Sequence, residues 1–321
     1  MKTSKLIRHG QRYFSSTVIN PKKIEEFVMI GGGLMGSGIA QVGAQTGHKV
    51  TLVDLSEDVL NKSRVRIEDS IKRVAKKKFQ NDPSAGETFI KESMARLTTT
   101  TTPDSAIKTA DLIVEGVTEN LELKQKLFAS FDAIAPSHAI FASNTSSLSI
   151  REIASSAPNR KDRFGGLHFF NPVAVMKLLE VVRIPETSDE TFKAMDDWGK
   201  AMGKTTVAAK DTPGFIVNRL LVPNLMEAVR MMERADAKPK DIDVAMKLGA
   251  GHPMGPIELF DYIGLDTMKF IIDGWSKNYP DEPLFEPSQL LDKLVSEGKL
   301  GRKSGEGFYK YQSYHNPVID P

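Results

Sequence analysis

FVMIGGGLMGSGIA, residues 27–40, is the stretch that decides the fold. Its first four residues form a short apolar run, which predicts a buried strand. The glycines that follow fit the pattern G-x-G-x-x-G at Gly31, Gly33 and Gly36. The first glycine permits a tight turn, the second lets the backbone approach a pyrophosphate, and the third lets the helix pack closely on the strand. The stretch therefore predicts the first strand, turn and helix of a dinucleotide-binding fold.

A carboxylate stands where such a fold binds the adenine ribose. Asp54 follows the next predicted strand, residues 49–53, about 20 residues beyond the glycines. A carboxylate at this place accepts hydrogen bonds from the ribose hydroxyls and repels a 2′-phosphate. The next residues are Leu55 and Ser56, so no basic side chain directly follows it. The pattern favours NAD over NADP; the alternative is a glycine-rich turn with an incidental aspartate.

Strands and helices alternate over the first two thirds of the chain. Short apolar runs predict strands, and longer runs with helical periodicity predict helices. The predicted strands are residues 27–30, 49–53, 97–102, 111–117, 139–143, 164–169 and 178–184, and the predicted helices include residues 57–79, 87–96 and 121–135. This alternation predicts an α/β fold with a parallel, doubly wound sheet of the Rossmann type.

The pattern changes near residue 212. Beyond the segment 210–214, long stretches of helical periodicity follow one another without strand-like runs. We therefore predict an NAD-binding domain over residues 25–212 and an all-α domain over residues 213–321. The apolar stretch 215–232 has more apolar residues than one helix face needs. It forms either part of a symmetric dimer interface or the core of the helical domain.

Composition excludes several classes of protein. Of 321 residues, 40% are hydrophobic and 26% charged, which is typical of a globular protein. The chain has no cysteine, so disulfides, cysteine-bound metals and thiol nucleophiles are excluded, and we predict no metal site. No apolar run is long enough for a membrane-spanning helix. We expect no integral membrane association and no nucleic-acid partner, because acidic residues outnumber basic ones after residue 24.

The N-terminal segment is basic. Residues 1–24 contain six Lys and Arg residues and no acid, with spaced apolar and hydroxyl side chains. This composition is typical of a mitochondrial transit peptide and predicts a location in the mitochondrial matrix. Arg12 to Ser16 resemble a matrix-processing site, with cleavage after Phe14. The alternative is a disordered basic tail.

Polar residues follow three of the predicted strands. The hydroxyl- and amide-rich loop 143–147 comes at one strand end, His168 lies at another, and Glu180 lies in the strand after it. Neighbouring strands could bring His168 and Glu180 together. An imidazole titrates near neutrality and a carboxylate fixes its tautomer, so such a pair suits proton abstraction. A structural histidine is the alternative from the residues alone.

Several long motifs, in order, resemble one family. They are IGGGLMGSGIAQ, VEGVTENLELK, FASNTSSL, GLHFFNPVAVMKLLEVV, KDTPGFIVNRLL, GHPMGPIEL and GEGFYKY. Together they resemble the L-3-hydroxyacyl-CoA dehydrogenases of mitochondrial fatty-acid β-oxidation, and in particular the single-function enzymes. The resemblance implies a homodimer that oxidises L-3-hydroxyacyl-CoA to 3-ketoacyl-CoA with NAD as cofactor.

The resemblance also implies roles for individual residues. It makes His168 the general base, Glu180 its orienting partner, and Ser146 and Asn218 hydrogen-bonding groups for the reacting oxygens. It assigns NAD binding to Gly31, Gly32, Gly33, Leu34, Met35, Gly36, Asp54, Glu119, Lys124, Ser146 and Asn171. It assigns the acyl-CoA substrate to Ser70, Lys77 and Ser146.

Two alternatives to this function stay open at the level of sequence. Ser70 and Lys77 lie seven residues apart on one predicted helix, so they share a face, but a solvated basic face would look the same. If that were so, the substrate could be a free hydroxy acid. A non-catalytic NAD-binding protein is the other alternative, against which the set Ser146, His168, Glu180 and Asn218 argues.

Overall fold

The structure is a computed structural model that describes residues 23–313 and 316–318. Residues 1–22, and with them nearly all of the predicted transit peptide, lie outside the described residues. Within the described part of the chain, every helix is too short or too polar to span a bilayer.

An eight-stranded sheet with flanking helices forms the first part of the molecule. Its elements are β1 (Glu26–Ile30), α1 (Leu34–Gln45), β2 (Lys49–Val53), α2 (Glu57–Lys78), α3 (Pro83–Ala95), β3 (Leu97–Thr100), α4 (Asp104–Ile107), β4 (Leu112–Glu115), α5 (Leu121–Asp132), β5 (Ile140–Ser143), α6 (Ile150–Ala154), a 3-10 helix (Pro158–Arg163), β6 (Phe164–Phe169), β7 (Leu178–Arg183), α7 (Asp189–Ala201) and β8 (Thr205–Lys210). The strand order is β3-β2-β1-β4-β5-β6-β7-β8. The order of the first six is that of a Rossmann fold, which confirms the predicted fold class.

The sheet is not parallel throughout, so the prediction needs a correction. Strands β1 to β6 pair in parallel, but β7 pairs antiparallel with β6, and β8 then pairs parallel with β7. A parallel neighbour would need a crossover of about a dozen residues or more, and the loop 170–177 is too short for one. As a result, His168 and Glu180 lie directly opposite each other in the β6–β7 register.

Side chains alternate between the two faces of the sheet and build two separate cores. Phe27 and Met29 face one core, which α1, α2 and α7 complete. Val28 and Ile30 face the other, together with Phe128 from α5 and the buried residues of α6. Because parallel strands are covered on both faces, they read as apolar runs, which is why the sequence predicted them.

Some predicted elements differ at their ends. Helix α3 begins at Pro83 rather than at residue 87, because the Asp82 side chain accepts the N–H of Ala85 and caps the helix. Strands β3 and β4 are shorter than predicted, and α7 and β8 were not predicted. Strand β8 lies at the sheet edge with most of its side chains exposed, so it lacks the apolar run of the inner strands.

A helical part follows, as predicted. It consists of α8 (Val217–Glu233), α9 (Pro239–Gly249), α10 (Pro256–Ile263), α11 (Leu265–Asn278), a 3-10 helix (Pro283–Phe285), α12 (Gln289–Ser296), a 3-10 helix (Arg302–Ser304), and the strands β9 (Lys310–Ser313) and β10 (Asn316–Val318). The last two form an antiparallel ribbon that the sequence analysis did not predict. They are too short to give a strand pattern.

The apolar stretch of α8 serves mainly the core of the helical part. Val222, Leu225, Met226 and Val229 are buried in that core. Leu220 points away from it and is 70% exposed. Of the two interpretations of this stretch, the domain core therefore accounts for these four side chains, while Leu220 keeps an apolar side chain at the surface.

Candidate active site

The glycine turn between β1 and α1 is tight and open on one side. Gly31 has a φ of +103°, and its N–H donates to the Val53 carbonyl at 2.8 Å. A Cβ at Gly36 would lie 1.8 Å from the Gly31 oxygen, so only glycine permits this approach of α1. Among the described residues, no atom would come within 4 Å of a Cβ at Gly33, and no side chain caps α1. An open turn at an uncapped helix N-terminus fits the pyrophosphate of a dinucleotide.

Asp54 is joined to this turn by a hydrogen bond. Its Oδ2 accepts the Gly32 N–H at 2.8 Å, and its Oδ1 accepts the Ser56 N–H at 3.3 Å. The Gly32 carbonyl in turn accepts the hydroxyl of Ser63. Asp54 remains partly exposed at the end of β2. The predicted ribose-binding carboxylate is thus fixed next to the predicted pyrophosphate-binding turn. Leu34 and Met35, which begin α1, are exposed and half-buried respectively.

Lys124 lies in a buried charged cluster at the ends of β4 and β5. Its side chain is 1% exposed, and its Nζ lies 2.7 Å from Glu115 Oε1 and 3.2 Å from Glu119 Oε2. The second oxygen of Glu115 accepts the Ser143 hydroxyl at 2.7 Å. Two carboxylates therefore share one ammonium. Through Glu115, which also binds Ser143, Lys124 at the start of α5 is linked to the ends of β4 and β5.

Glu119 organises the polar loop that follows β5. Its Oε1 accepts the Thr145 hydroxyl, the N–H of Ser146 at 3.0 Å, and both the N–H and the hydroxyl of Ser147. Burial alone would raise the pKa of the Glu119 carboxyl, but the charge of Lys124 and these hydrogen bonds outweigh burial and lower the pKa. The carboxylate is therefore ionised and fixes the backbone that carries Ser146.

His168 and Glu180 form a buried pair across β6 and β7. The His168 Nδ1 lies 2.6 Å from Glu180 Oε2, and the Nε2 lies 3.1 Å from the Ser146 hydroxyl. A carboxylate only accepts hydrogen bonds, so in the neutral imidazole Nδ1 is the donor and Nε2 the acceptor. The imidazole is therefore oriented with its basic nitrogen towards Ser146.

The second oxygen of Glu180 is bound by the first residues of the helical part. Its Oε1 accepts the N–H of Ile216 at 3.0 Å and the N–H of Val217 at 2.9 Å. Burial would raise the pKa of the Glu180 carboxyl, but the hydrogen bonds from His168, Val217 and Ile216 outweigh burial and lower the pKa. Glu180 is thus ionised and links the sheet to α8.

Two aromatic rings flank the imidazole of His168. The Phe170 ring centroid lies 4.5 Å from that of His168, and the Phe215 centroid lies 5.4 Å from it. His168 itself is 3% exposed. The imidazole therefore sits in an apolar environment, which strengthens its hydrogen bond to Glu180.

The remaining predicted residues lie at different distances from this pair. Asn218 reaches back from α8, and its Nδ2 donates to the Ser146 carbonyl at 3.4 Å. Asn171 follows β6 and is exposed, just before Pro172. Ser70 is half-buried and Lys77 exposed on α2, which packs against α1 and α3. The structure thus gathers Ser146, His168, Glu180 and Asn218, and places Ser70 and Lys77 on a separate helix.

A cavity of about 260 Å³ lies between the sheet and the helical part beside the Ser146 loop. Its lining comprises Met35, Gly116, Val117, Glu119, Lys124, Asn144, Ser146, Ser147, Thr267, Phe270 and Ile271. Sites of this kind commonly lie between domains and beyond the carboxyl ends of parallel strands. The cavity connects the predicted cofactor residues with helix α11.

Sequence reasoning missed three groups of residues in this region. Glu115 was predicted only as part of the strand 111–117, although a charged residue that closes the apolar run at 112–115 can indicate a buried functional group. Phe170 and Phe215 were not singled out beside His168. The contribution of α11 to the cavity has no local sequence signal, because it depends on how the two parts of the chain pack.

Comparisons with known proteins cover nearly all of the described chain. A family model described as "3-hydroxyacyl-CoA dehydrogenase, NAD binding domain" matches residues 26–212. A second, described as "3-hydroxyacyl-CoA dehydrogenase, C-terminal domain", matches residues 214–311.

Individual relatives cover nearly the full length. The chain is 58% identical over 289 residues to the mitochondrial hydroxyacyl-coenzyme A dehydrogenase of Mus musculus, covering 90% of this chain and 92% of the relative. It is 56% identical over 300 residues to that of Homo sapiens, covering 93% and 95%. The crystal structure of (S)-3-hydroxybutyryl-CoA dehydrogenase from Ralstonia eutropha matches with a TM-score of 0.85 and 39% identity, covering 91% of this chain and 100% of the other. The similarity therefore includes both the sheet and the helical part.

Proposed function

Because this chain belongs to the 3-hydroxyacyl-CoA dehydrogenase family, we propose that its His168–Glu180 pair takes up the proton of that reaction. The protein is an NAD-dependent dehydrogenase that oxidises 3-hydroxyacyl-CoA. Oxidation of a secondary alcohol removes a hydride from carbon and a proton from oxygen, and bound NAD supplies the hydride acceptor. The residues of this chain must bind the ester and remove the proton. The substrate is the L epimer, and the product is the 3-ketoacyl-CoA.

One observation carries this proposal: Glu180 binds His168 Nδ1 at 2.6 Å, which directs Nε2 towards the Ser146 hydroxyl. Nε2 accepts the proton of the substrate hydroxyl, and the adjacent carboxylate stabilises the imidazolium that results. In the reverse direction the same nitrogen returns the proton. Burial of the pair excludes water that would otherwise weaken this interaction.

Ser146 and Asn218 act on the oxygen atoms of the substrate. The Ser146 hydroxyl already contacts the imidazole, and the Asn218 amide already donates to the loop that carries Ser146. Both groups can donate to an oxygen that becomes a carbonyl, which supports developing charge there. Asn218 comes from the helical part, so the reacting group would lie in the cleft between the two parts of the chain, 25–212 and 213–321.

We assign the adenosine half of NAD to the glycine turn and Asp54, and the nicotinamide half to the cavity beside Ser146. Gly31 to Gly36, with Leu34 and Met35 between them, provide the turn and the open N-terminus of α1. Glu119 and Lys124 line the cavity. Asn171 is exposed beyond β6, where its amide can reach a ligand. The Asp54 side chain beside Gly32 supports NAD rather than NADP.

Ser70 and Lys77 bind the CoA portion of the substrate. They lie two turns apart on one face of α2, and Lys77 is exposed at the basic end of that helix. The phosphates of CoA are the natural partners of this face. Because the contact is exposed, its strength is modest and falls with salt.

An absorbance assay tests the activity directly. Purified protein is mixed with NADH and acetoacetyl-CoA, and the reduced nicotinamide band is followed, with free acetoacetate and NADPH as controls. We expect NADH consumption with the CoA ester alone. Consumption with free acetoacetate would favour a hydroxy-acid dehydrogenase, and NADH binding without turnover of the ester would favour a non-catalytic protein.

Substitution of His168 tests the mechanism in the same assay. We expect His168→Gln to lower kcat by about 10²–10⁴-fold, the usual contribution of a general base. The Kd for NADH should stay unchanged, because His168 lies away from the glycine turn. His138→Gln serves as the matched control, since His138 precedes β5 at the opposite end of the sheet. Turnover near that of the wild type in His168→Gln would refute the assignment.

Substitution of Lys77 tests the CoA site. We expect Lys77→Ala to raise KM for acetoacetyl-CoA several-fold, with KM for NADH unchanged, because an exposed charge contributes about 0.2–1 kcal/mol. Lys76→Ala removes the same charge from the adjacent face of α2 and is the control. Equal effects of the two substitutions would mean that only the general basic charge of the helix matters.

A homodimer and a location in the mitochondrial matrix complete the proposal. Exposed Leu220 on α8 and the mitochondrial names of the relatives support it. Light scattering of the purified protein should give twice the chain mass, and a monomer at assay concentration would contradict the dimer. Residues 1–24 fused to a fluorescent protein should direct it to the matrix, with cleavage after Phe14, whereas a basic tail would leave it in the cytosol.

A further inference from the structure

We propose that Phe215 is a positioning residue whose left-handed backbone aims two N–H groups at Glu180 and thereby orients His168. This inference rests on the proposed function, because it concerns how the same pair is aligned. Phe215 is one of two non-glycine residues with positive φ in the described chain, and its φ is +53°. A bulky residue seldom adopts this conformation, and such strain persists where the surrounding structure requires it.

The turn before Phe215 explains how the chain enters this conformation. Thr212 accepts the N–H of Phe215 at 2.9 Å, with Pro213 and Gly214 between them. Gly214 has a φ of +74°, so the four residues have the pattern of a type II turn, with proline second and glycine third. A Cβ at Gly214 would come within 2.5 Å of the Trp275 ring, so the turn also packs tightly on α11. The direction of the chain on leaving the turn is therefore fixed.

Two N–H groups directly after Phe215 are the ones that Glu180 needs. Ile216 and Val217 donate to one carboxylate oxygen of Glu180 at 3.0 and 2.9 Å. Helix α8 begins at Val217, so these are N–H groups of its start that lack a partner within the helix. Glu180 fills the role of a capping acceptor, and a carboxylate at a helix N-terminus is favoured by the helix dipole. An extended backbone at Phe215 would turn both groups away.

The Phe215 side chain stabilises the strained backbone. The ring is 5% exposed within the core that lies on the α5 side of the sheet, and it lies 5.4 Å from the imidazole of His168. Burial of a phenylalanine ring contributes more than one left-handed residue costs. The ring therefore has two effects: it keeps the two N–H groups on Glu180, and it covers one side of His168.

Two matched pairs of variants separate the backbone from the ring. Phe215→Gly and Phe215→Ala both remove the ring, but only glycine adopts positive φ without strain. Phe215→Asn and Phe215→Leu are similar in size, and asparagine tolerates the left-handed region better than leucine. The second pair decides the question if alanine at this position prevents folding. Circular dichroism and the Kd for NADH establish that each variant is folded.

We expect kcat with acetoacetyl-CoA to be higher in the variants whose residue 215 tolerates positive φ. The kcat of Phe215→Ala should be about 5- to 30-fold lower than that of Phe215→Gly. This factor corresponds to the penalty that an L-residue other than glycine incurs in the left-handed region. The kcat of Phe215→Leu should likewise be lower than that of Phe215→Asn, although leucine matches the apolar site better. The Kd for NADH should be the same in all four variants, since the glycine turn is untouched. A structural role alone would not make glycine and asparagine the better residues.

Equal kcat within each pair would overturn the inference. Its failure differs from failure of the proposed function, which His168→Gln decides. If His168→Gln loses turnover and the Phe215 pairs do not separate, the base stands and the positioning role is wrong. If His168→Gln keeps turnover, the pair is not catalytic, and any separation of the Phe215 variants must arise elsewhere.

Discussion

Lys124 is a basic side chain in the interior of the protein, and its two acidic neighbours determine its effect on stability. Glu115 is fully buried and Glu119 is mostly so, and both contact the same ammonium. Removing the lysine would leave two carboxylates without their cation, which costs more than the pair contributes. The residue therefore stabilises the fold of the site, apart from its proposed role in cofactor binding.

Lys124→Met should destabilise the protein by about 3–5 kcal/mol, because it leaves buried carboxylates unpaired. Lys126→Met, an exposed lysine on the same helix, should change stability by less than about 0.5 kcal/mol. Denaturant unfolding of both variants measures the difference. If the double variant Lys124→Met, Glu115→Gln regains stability, the loss in Lys124→Met arises from the unpaired carboxylate. Equal stability of Lys124→Met and Lys126→Met would refute this explanation.

At the scale of residues, the sequence predicted which reactive side chains meet better than it predicted backbone conformation. Placing His168 and Glu180 on neighbouring strands was enough to predict that they meet. Glu115 was not predicted as a partner of Lys124, because the strand sequence can indicate a buried acid but does not show which cation pairs with it. The positive φ of Phe215 was not predicted either, since phenylalanine carries no turn signal of its own.

At the scale of elements, the hairpin of β6 and β7 determines the site. Its loop, residues 170–177, is anchored by Lys204, which is 8% exposed. The Lys204 ammonium donates to the carbonyl of Val173 and to that of Met176 at 2.9 Å. Burial, and then the charge of Lys177, lower the pKa of the Lys204 ammonium. The loop between the two strands that carry the pair is thus tied to the start of β8.

Lys204→Met should destabilise the protein by about 1–3 kcal/mol, because the two carbonyls lose a charged donor. Lys200→Met, which removes an exposed lysine from the end of α7, is the control. Thermal unfolding measures both, and proteolysis within residues 170–177 reports local loosening. Identical protection of this loop in the two variants would show that Lys204 does not anchor it.

Elements differed in how well the sequence specified them. The buried inner strands were predicted because both faces are covered and their residues are uniformly apolar. Strand β8 was missed, since it has one neighbour and exposes most of its side chains. The reversal at β7 was missed because side-chain periodicity is the same in both strand directions. Loop length carries that information, and the loop 170–177 is short.

At the scale of the whole molecule, the two parts of the chain contain buried acids whose pKa values are shifted in opposite directions. In the sheet, the pKa values of Glu119 and Glu180 are lowered despite burial, because charged and N–H donors bind them. In the helical part, burial raises the pKa values of Asp243 and Asp261 more than the hydrogen bonds from Tyr309, Tyr311 and nearby backbone lower them.

These shifts predict opposite responses to acid. A lowered pKa contributes stability above the unfolded value, which is lost as the pH falls through the folded pKa. A raised pKa has the reverse effect: stability increases as the pH falls through it. For the sheet, the loss begins as the pH approaches the ordinary carboxyl pKa of about 4 and continues below it, so below about pH 5 the sheet should weaken relative to the helical part. Exposed ion pairs such as Glu297 with Lys299 are screened by water and change this little.

The two tryptophans allow this to be measured. Trp198 lies in α7 against Phe27, and Trp275 lies in α11. In Trp275→Phe and Trp198→Phe variants, fluorescence follows one part at a time. On acidification the melting temperature reported by Trp198 should fall by about 2–4 °C more than that reported by Trp275, the change that 1 kcal/mol produces in a domain of this size. Equal shifts for both reporters would contradict the prediction.

The antiparallel register of β6 and β7 has a consequence for protein engineering. Backbone pairing across the two strands sets His168 opposite Glu180. The rest of the joining loop, residues 172–177, can therefore be varied as a unit, provided that Phe170 and Asn171 are kept and that the new segment presents two carbonyls to Lys204. Libraries confined to exposed positions such as Val175 and Met176 would change the surface of the loop while leaving the contact between His168 and Glu180 intact. The hairpin thus holds a fixed pair of side chains in its strands and exposed side chains, which tolerate substitution, in its loop.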